Sequence, residues 1–296
     1  MKGTTGILAI LYGRSGTGKS TCTGAAGSCG LFIAQGGGLL PLKNYLGLEK
    51  LNVQKSLDVE SAAKIVLAEA GKHPSIVIDD FSLLVERTVS QLEKKHSFGD
   101  MWRALRAQVL GMRDSAREAT EKGTHVFFNC HESSPRESSG KFVRGGPALP
   151  GQLPEQFSAF SDVVARVVYD ETAAPWKFVL NTTSNSKNIG GDRLAIFPPS
   201  APMNLAEALR VSGYQMERPK NLAWQEAVVE GLSNKILEEG IEKWREVLRP
   251  AVDKLSTKYP KPHVRWALQD SLHRAILKKS KEDMVDDFLN DNDDEW

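Results

Sequence analysis

A chain of 296 residues with 41% hydrophobic side chains is long enough to bury a substantial core, as one large domain or as a medium domain with an appendage. Its charged residues divide into 38 basic and 37 acidic, which excludes general disorder and a uniformly basic surface, so any polyanion must be met by a local patch. Three cysteines, Cys22, Cys29 and Cys130, have no metal-ligand spacing and cannot build a disulfide framework; with no apolar run near ~18 residues and no leader cleavage pattern after Met1, the expectation is a reducing, cytoplasmic location without membrane contact.

Gly6 to Tyr12 (GILAILY) is a short apolar run bounded by glycines, the pattern of a strand covered on both faces of a parallel sheet. Leu31 to Ala34, Ser75 to Asp79, Thr124 to Cys130, Val163 to Tyr169, Lys177 to Leu180 and Leu194 to Phe197 read as further strands. Helical spacing separates the earlier ones: Asp58 to Gly71, with Asp58 as N-cap and Gly71 just past the end, then Phe81 to Lys95 and Asp100 to Lys122. This alternation predicts an α/β fold with a mostly parallel sheet. His131 to Phe160, rich in Ser, Gly and Pro, reads as a long connection with little regular structure, the kind that is functional or mobile. Pro198-Pro199 stops the sheet pattern and helical signals take over from Asn204, which divides the chain into a core over 1–205, a smaller helical region over 206–281 and an acidic, disordered tail over 282–296.

Gly13-Arg14-Ser15-Gly16-Thr17-Gly18-Lys19-Ser20 fits G-x-x-x-x-G-K-[ST] between an apolar strand and a helix-compatible stretch, the context the motif requires. Its glycines let main-chain N–H groups turn around phosphates at the positive end of the following helix, and Lys19 adds a point charge at the β and γ oxygens. Gly13 through Thr21 are therefore the expected ATP-binding residues, with Ser20 as a ligand of Mg2+. The carboxylate needed on a neighbouring strand tip is Asp79 in Ile76-Val77-Ile78-Asp79-Asp80; Asp80 stands where it could polarise the attacking water or simply cap the helix from Phe81. Asn129 and His131 end a third buried strand at the ligand-binding edge and are either γ-phosphate sensors or groups that satisfy the local backbone.

The ordered set GRSGTGKS, Leu31-Phe32-Ile33 with Gly36-Gly37-Gly38, IVIDDF, FFNCHE, Gly146 to Gly151 and FSDVVARV resembles the phage-encoded RecA-like P-loop ATPases, a family that includes enzymes working with single-strand annealing and recombination proteins. The resemblance covers roughly residues 6 to 200. It implies a RecA-like core, ATP hydrolysis coupled to action on DNA, and a homo-oligomer in which a basic residue of one subunit completes the site of the next. Lys187 and Arg193 match the late basic positions, with Arg193 the preferred residue acting across the boundary. One departure bears on hydrolysis: where such enzymes carry a glutamate after the second strand, this chain reads Ala34-Gln35-Gly36-Gly37-Gly38. Asp80, Glu132 with His131, or another subunit must then position the water, or the site binds ATP and turns over slowly.

For DNA, single-stranded by this resemblance, the first candidate surface is Arg136, Lys141, Phe142 and Arg144 in the long connection, where cations among serines and glycines suit sequence-independent phosphate contact. The second is Lys254 to Lys281, with Lys254, Lys258, Lys261, Arg265, Arg274, Lys278, Lys279 and Lys281 against Asp270. Both read equally as solvated surface. Glu282 to Trp296 carries carboxylates and no Lys or Arg, the composition of an interaction tail able to recruit a replication or recombination protein, or to fold back on the basic patch. The alternative to a DNA-associated ATPase is a nucleotide-gated assembly or helicase-loading protein.

Overall fold

The computed structural model describes residues 5–27, 30–34, 39, 42, 51–138, 140–170, 178–198, 200–218 and 222–290. Strand β1 (Leu8–Gly13) is buried along its whole length. Its side chains alternate between two cores: Leu8, Ile10 and Tyr12 face one, Ala9 and Leu11 the other. A strand apolar on both faces must be covered on both, so it lies mid-sheet. The ten-stranded sheet has β1 between β5 (His125–Ser133) and β9 (Val163–Tyr169), with β4 (Ser75–Ile78), β2 (Leu31–Ile33) and β3 (Asn52–Gln54) following beyond β5. These strands are parallel. Beyond β9, β10 (Phe178–Asn181) and β12 (Ser200–Pro202) run antiparallel.

On one face, helices α2 (Val59–Glu69), α3 (Phe81–Leu92), α4 (Phe98–Glu121) and α5 (Leu153–Ser158) cover the core. Its centre is the ring cluster Phe81, Phe128 and Phe157, with centroids 5.0 Å apart in each pair. As expected, the Asp58 side chain caps α2 by accepting from Ser61 N, and Gly71 past its end has φ 78°. On the other face lie α1 (Lys19–Ala26) and α6 (Leu205–Val211).

Several expectations change. The connection from His131 to Phe160 is built rather than irregular: β5 runs on to Ser133, β6 (Arg136–Ser138) and β7 (Lys141–Val143) form a hairpin, β8 (Gly146–Pro147) pairs back onto β5, and α5 follows. Leu194 to Phe197 is not a strand, because the Asp192 carboxylate accepts from the N–H groups of Leu194 and Phe197 and folds the segment into a turn, with Ala195 at φ 49°. The sheet instead adds β11 (Gly191–Asp192) before that turn and β12 after Pro199, where an edge position tolerates Pro202. The division expected at 205/206 falls within the first turn of α6.

The helical region comprises α7 (Trp224–Glu239), α8 (Trp244–Ser256) and α9 (Lys261–Asn290), around a separate core including Ile236, Leu248 and Leu272. The tail expected to be disordered from Glu282 is helical as far as Asn290, as a continuation of α9. Part of the expected basic patch is internal. Arg274 is buried, its guanidinium donating to Glu207 at 2.6 Å, Glu226 at 2.8 Å and Glu230 at 2.5 Å, while Lys278 meets Glu230 at 2.9 Å. Glu207 on α6 also pairs with Arg210 and Arg218, and Arg218 reaches buried Asp270 at 3.0 Å. Helical spacing alone does not reveal that a basic residue faces buried carboxylates rather than water.

The same junction holds His273, which lies 3.1 Å from the Asn204 amide. Burial holds its pKa down to about 4 against an ordinary 6.5. The unfolded chain takes up that proton as pH falls through 6.5 and the folded chain does so only near 4, so stability falls through this window by up to ~1.4 kcal/mol per unit. Urea titrations at pH 7 and pH 5 should show the native chain losing about 2 kcal/mol more than His273→Gln.

Candidate nucleotide site

The loops after parallel strands β1, β4 and β5 emerge at one carboxyl edge, and the site is assembled there. Beyond β1 the chain turns through Gly16 at φ 77° and Gly18 at φ 85°, conformations that a side chain would strain. Gly18 is the N-cap of α1, so the first-turn N–H groups point into the loop. Thr17 Oγ1 donates to the Arg14 carbonyl at 2.9 Å. Lys19 lies against the loop, its ammonium donating to the carbonyls of Gly13 at 2.9 Å and Arg14 at 2.8 Å. Burial pulls its pKa below the ordinary value, opposed by the carboxylates of Asp80, Asp79 and Glu132. Arg14, Ser15 and Gly16 are exposed, and Ser20 and Thr21 half-buried.

Strand alternation aims the next two groups. On β4, Val77 faces the α1 side, so the residue two further on, Asp79, does too; on β5, Phe127 and Asn129 share that face. Asp79 Oδ1 accepts from Ser20 Oγ at 2.7 Å and from Asn129 Nδ2 at 2.8 Å. Asn129 Nδ2 donates also to Thr23 Oγ1 at 2.8 Å, and its buried Oδ1 has no hydrogen-bond partner. Asn129 therefore lies one shell behind Ser20 and Asp79. Thr23, one turn beyond Lys19, completes the cluster and falls outside the phosphate motif, so its part was not legible in the sequence.

Asp80 occupies the left-handed region at φ 57° and caps α3, accepting from Leu83 N at 3.2 Å. It also faces His131, whose Nε2 lies 3.3 Å from Asp80 Oδ1. His131 is level with Gly13 across the β1–β5 ladder, so this half-exposed pair stands beside the start of the phosphate loop. Glu132 is held differently: Arg166 pairs with it at 2.6 Å, and its carboxylate is almost wholly buried. Burial pushes the Tyr12 phenol up, and its hydroxyl donates to the Ile189 carbonyl. Burial pushes the Cys130 thiol up to about 12, consistent with a packing role.

The two late basic residues separate. Lys187 lies in the turn after β10, at the phosphate-loop edge, and its carbonyl accepts from Gly145 N at 2.7 Å. Arg193 follows β11 at the opposite, amino-terminal edge: its main-chain N–H donates to the Asp162 carbonyl at 2.9 Å, and the guanidinium donates to the Ala159 carbonyl. Within one chain, Arg193 and the phosphate loop are not brought together. Arg144 is committed to Glu155 through two contacts, at 2.8 Å and 2.6 Å, whereas Arg136 and Phe142 are exposed on the β6–β7 hairpin. The side chain of Lys141 and residues Gln35 to Gly38, where the glutamate is missing, lie outside the described residues.

One further contact ties the site to the helical region. A Cβ at Gly18 would meet Met203 Cε at 2.8 Å, and Leu205 N donates to Cys22 Sγ at 3.5 Å. Asn204, between them, donates to Asp270 at 2.8 Å.

These residues fit magnesium-ATP: an inward-turned glycine loop on a helix N-terminus, a lysine within it, and a hydroxyl beside a buried carboxylate are the donor set that a phosphate-bound hard cation takes. Among the described residues there is no cluster of three His, Cys, Asp or Glu side chains that would hold a metal by itself, and no helix is long and apolar enough to cross a membrane.

The model of a protein family described as an AAA domain matches residues 5–194. No curated protein matches. Among solved structures, a KaiC-like protein from the hyperthermophilic archaeon Pyrococcus horikoshii aligns at 17% identity and TM-score 0.36, over 60% of this chain and 78% of its own. The flagellar accessory protein FlaH from Methanocaldococcus jannaschii aligns at 14% identity and TM-score 0.38, over 64% and 82%.

Asn129→Ala removes donors from both Asp79 and Thr23 in a buried setting. We expect it to lower stability by about 1–3 kcal/mol, read as a reduced urea midpoint at unchanged slope.

Proposed function

The chain belongs to the AAA-domain family, and on that premise we propose that it hydrolyses ATP with Mg2+ at Gly13–Thr21 and couples turnover to DNA, as an oligomeric recombination or replication factor of the kind phages encode, working in the host cytoplasm. The observation that carries the reading is the 2.7 Å contact between Ser20 and Asp79, alongside Lys19. The main-chain N–H groups of the loop and the Lys19 ammonium bind the phosphates and neutralise charge that grows on the transferring group. Ser20 would ligate the magnesium ion directly and Asp79 would hold its water shell; the ion supplies electrostatic stabilisation of the phosphoryl oxygens.

With Glu132 neutralised by Arg166, Asp80 is the carboxylate available at the rim, and His131 beside it is placed to orient it or to share a proton. Arg193 acts, in this reading, on the site of an adjacent subunit, since its own chain keeps it at the far edge of the sheet. Arg136 and Phe142 on the exposed hairpin, and the outward-facing Lys254, Lys258 and Arg265, are the contacts offered to DNA.

A second reading is a nucleotide-gated assembly or loading protein. Asp80 favours it, because capping Leu83 N competes with holding a water and would slow turnover.

ATP turnover measured with and without an oligo(dT) strand tests the proposal. Lys19→Ala should abolish nucleotide binding, while Asp80→Ala should leave ATP affinity near native and lower kcat about 10²-fold or more. Arg193→Ala should lower kcat with little change in affinity. Nucleotide-dependent assembly without any DNA affinity at low salt would select the second reading.

A further inference from the structure

The corner between α3 and α4 carries two aromatic rings that the nucleotide site does not use. Phe98 is 78% exposed and Trp102 38% exposed. They are four residues apart on α4, so one helical turn sets them side by side, with ring centroids 6.0 Å apart and planes at 83°. The apolar residues of the same turns that belong to the core, Met101 and Leu105, are buried beneath them. The rings are thus surplus to packing.

Their surroundings are charged. Lys94, Lys95 and His96 are exposed in the connection just before the rings, and Arg103 and Arg106 are exposed on the turns that follow. The carboxylates of this stretch are Glu93 and Asp100, and Asp100 is already paired with Arg103 at 3.0 Å. The Ser97 hydroxyl donates to Asp100 at 2.6 Å and makes no side-chain cap, and a Cβ at Gly99 would meet nothing within 4 Å, so the first turn of α4 is open. Gln91 donates to the Leu57 carbonyl at 3.2 Å, and Val59 N donates to Thr88 Oγ1 at 3.0 Å. Residues 57–59 follow β3, so α3 runs along the carboxyl edge of the sheet, the edge of the phosphate loop.

We propose that this corner is a stacking platform for single-stranded nucleic acid: bases lie on Phe98 and Trp102 while Lys94 and Lys95 meet the backbone phosphates. The inference rests on the DNA-associated reading above and places a contact where neither the β6–β7 hairpin nor α9 does. Stacking on an exposed ring is available to every base, and a single strand, unlike a duplex, can spread its bases to a helical-turn spacing. A protein partner fits less well, because interface centres are broad contiguous apolar patches from which lysine is depleted, and this is one pair of rings beside two exposed lysines.

The test is fluorescence anisotropy of a labelled 30-nucleotide oligo(dT) titrated with the full chain over a series of salt concentrations, with sedimentation velocity on the same samples. Phe98→Ala with Trp102→Ala should weaken binding about tenfold and leave the salt slope unchanged, whereas Phe98→Tyr with Trp102→Phe should bind as the native chain does. Lys94→Ala with Lys95→Ala should reduce the slope of log affinity against log salt by about 1.4. Native binding that neither pair of alanine substitutions alters would overturn the platform and leave the DNA reading intact. Absence of oligo(dT) binding by the native chain at low salt would overturn both. An aromatic variant that changes the sedimentation coefficient and not the anisotropy would make the corner a protein interface and overturn the proposal.

Discussion

The Asp79 carboxylate is the point on which the site depends. It accepts from a hydroxyl on α1 and an amide on β5 while itself ending β4, so three segments distant in sequence must be in register before it is satisfied. Left without those donors, a carboxylate this buried would carry a desolvation cost, whereas hydrogen bonds to a charged group contribute about 1.5–3 kcal/mol each. The register is enforced by the sheet. A slip of one residue in β4 would turn Asp79 away from α1 and bring Ile78, which belongs to the opposite core, toward it.

Charge is distributed around that point in a graded way. Glu132 is neutralised by Arg166 in a partly buried pair, Lys19 is turned into its own loop, and Asp80 with His131 remains half-exposed at the rim. The fixed groups hold geometry and the rim pair is free to respond to what enters. In the helical region the same logic serves packing: Glu207, fully buried, is surrounded by Arg210, Arg218 and Arg274. Burial pushes its pKa up and the guanidiniums pull it back, so removing one of the three would leave this buried carboxylate less compensated.

The phosphate loop, β1 and β4 were legible because motif, apolar run and strand tip coincide within a few residues, each requiring the others. Asn129 was legible as a polar residue ending a buried strand, but its hold on Asp79 was not, because that depends on β5 lying between β1 and β4 in the sheet. β3 was missed since Asn52-Val53-Gln54 is short and mostly exposed at the sheet edge. β12 was missed because Pro198-Pro199 reads as a terminator, although an edge strand needs few of the N–H groups that proline removes. Leu194 to Phe197 misled in the other direction: its apolar side chains suit a strand, but the Asp192 carboxylate captures its N–H groups first. Arg274 misled because a basic side chain on a helix carries no mark of the buried acid opposite it.

Met203, Asn204 and Leu205 touch the phosphate loop, α9 and α1 respectively, within three consecutive residues. The core and the appendage therefore share a seam instead of a hinge. A protease or a truncation that severed the chain at that seam would not release two intact halves: it would strip α6 from α1 and open the apolar face around Cys22.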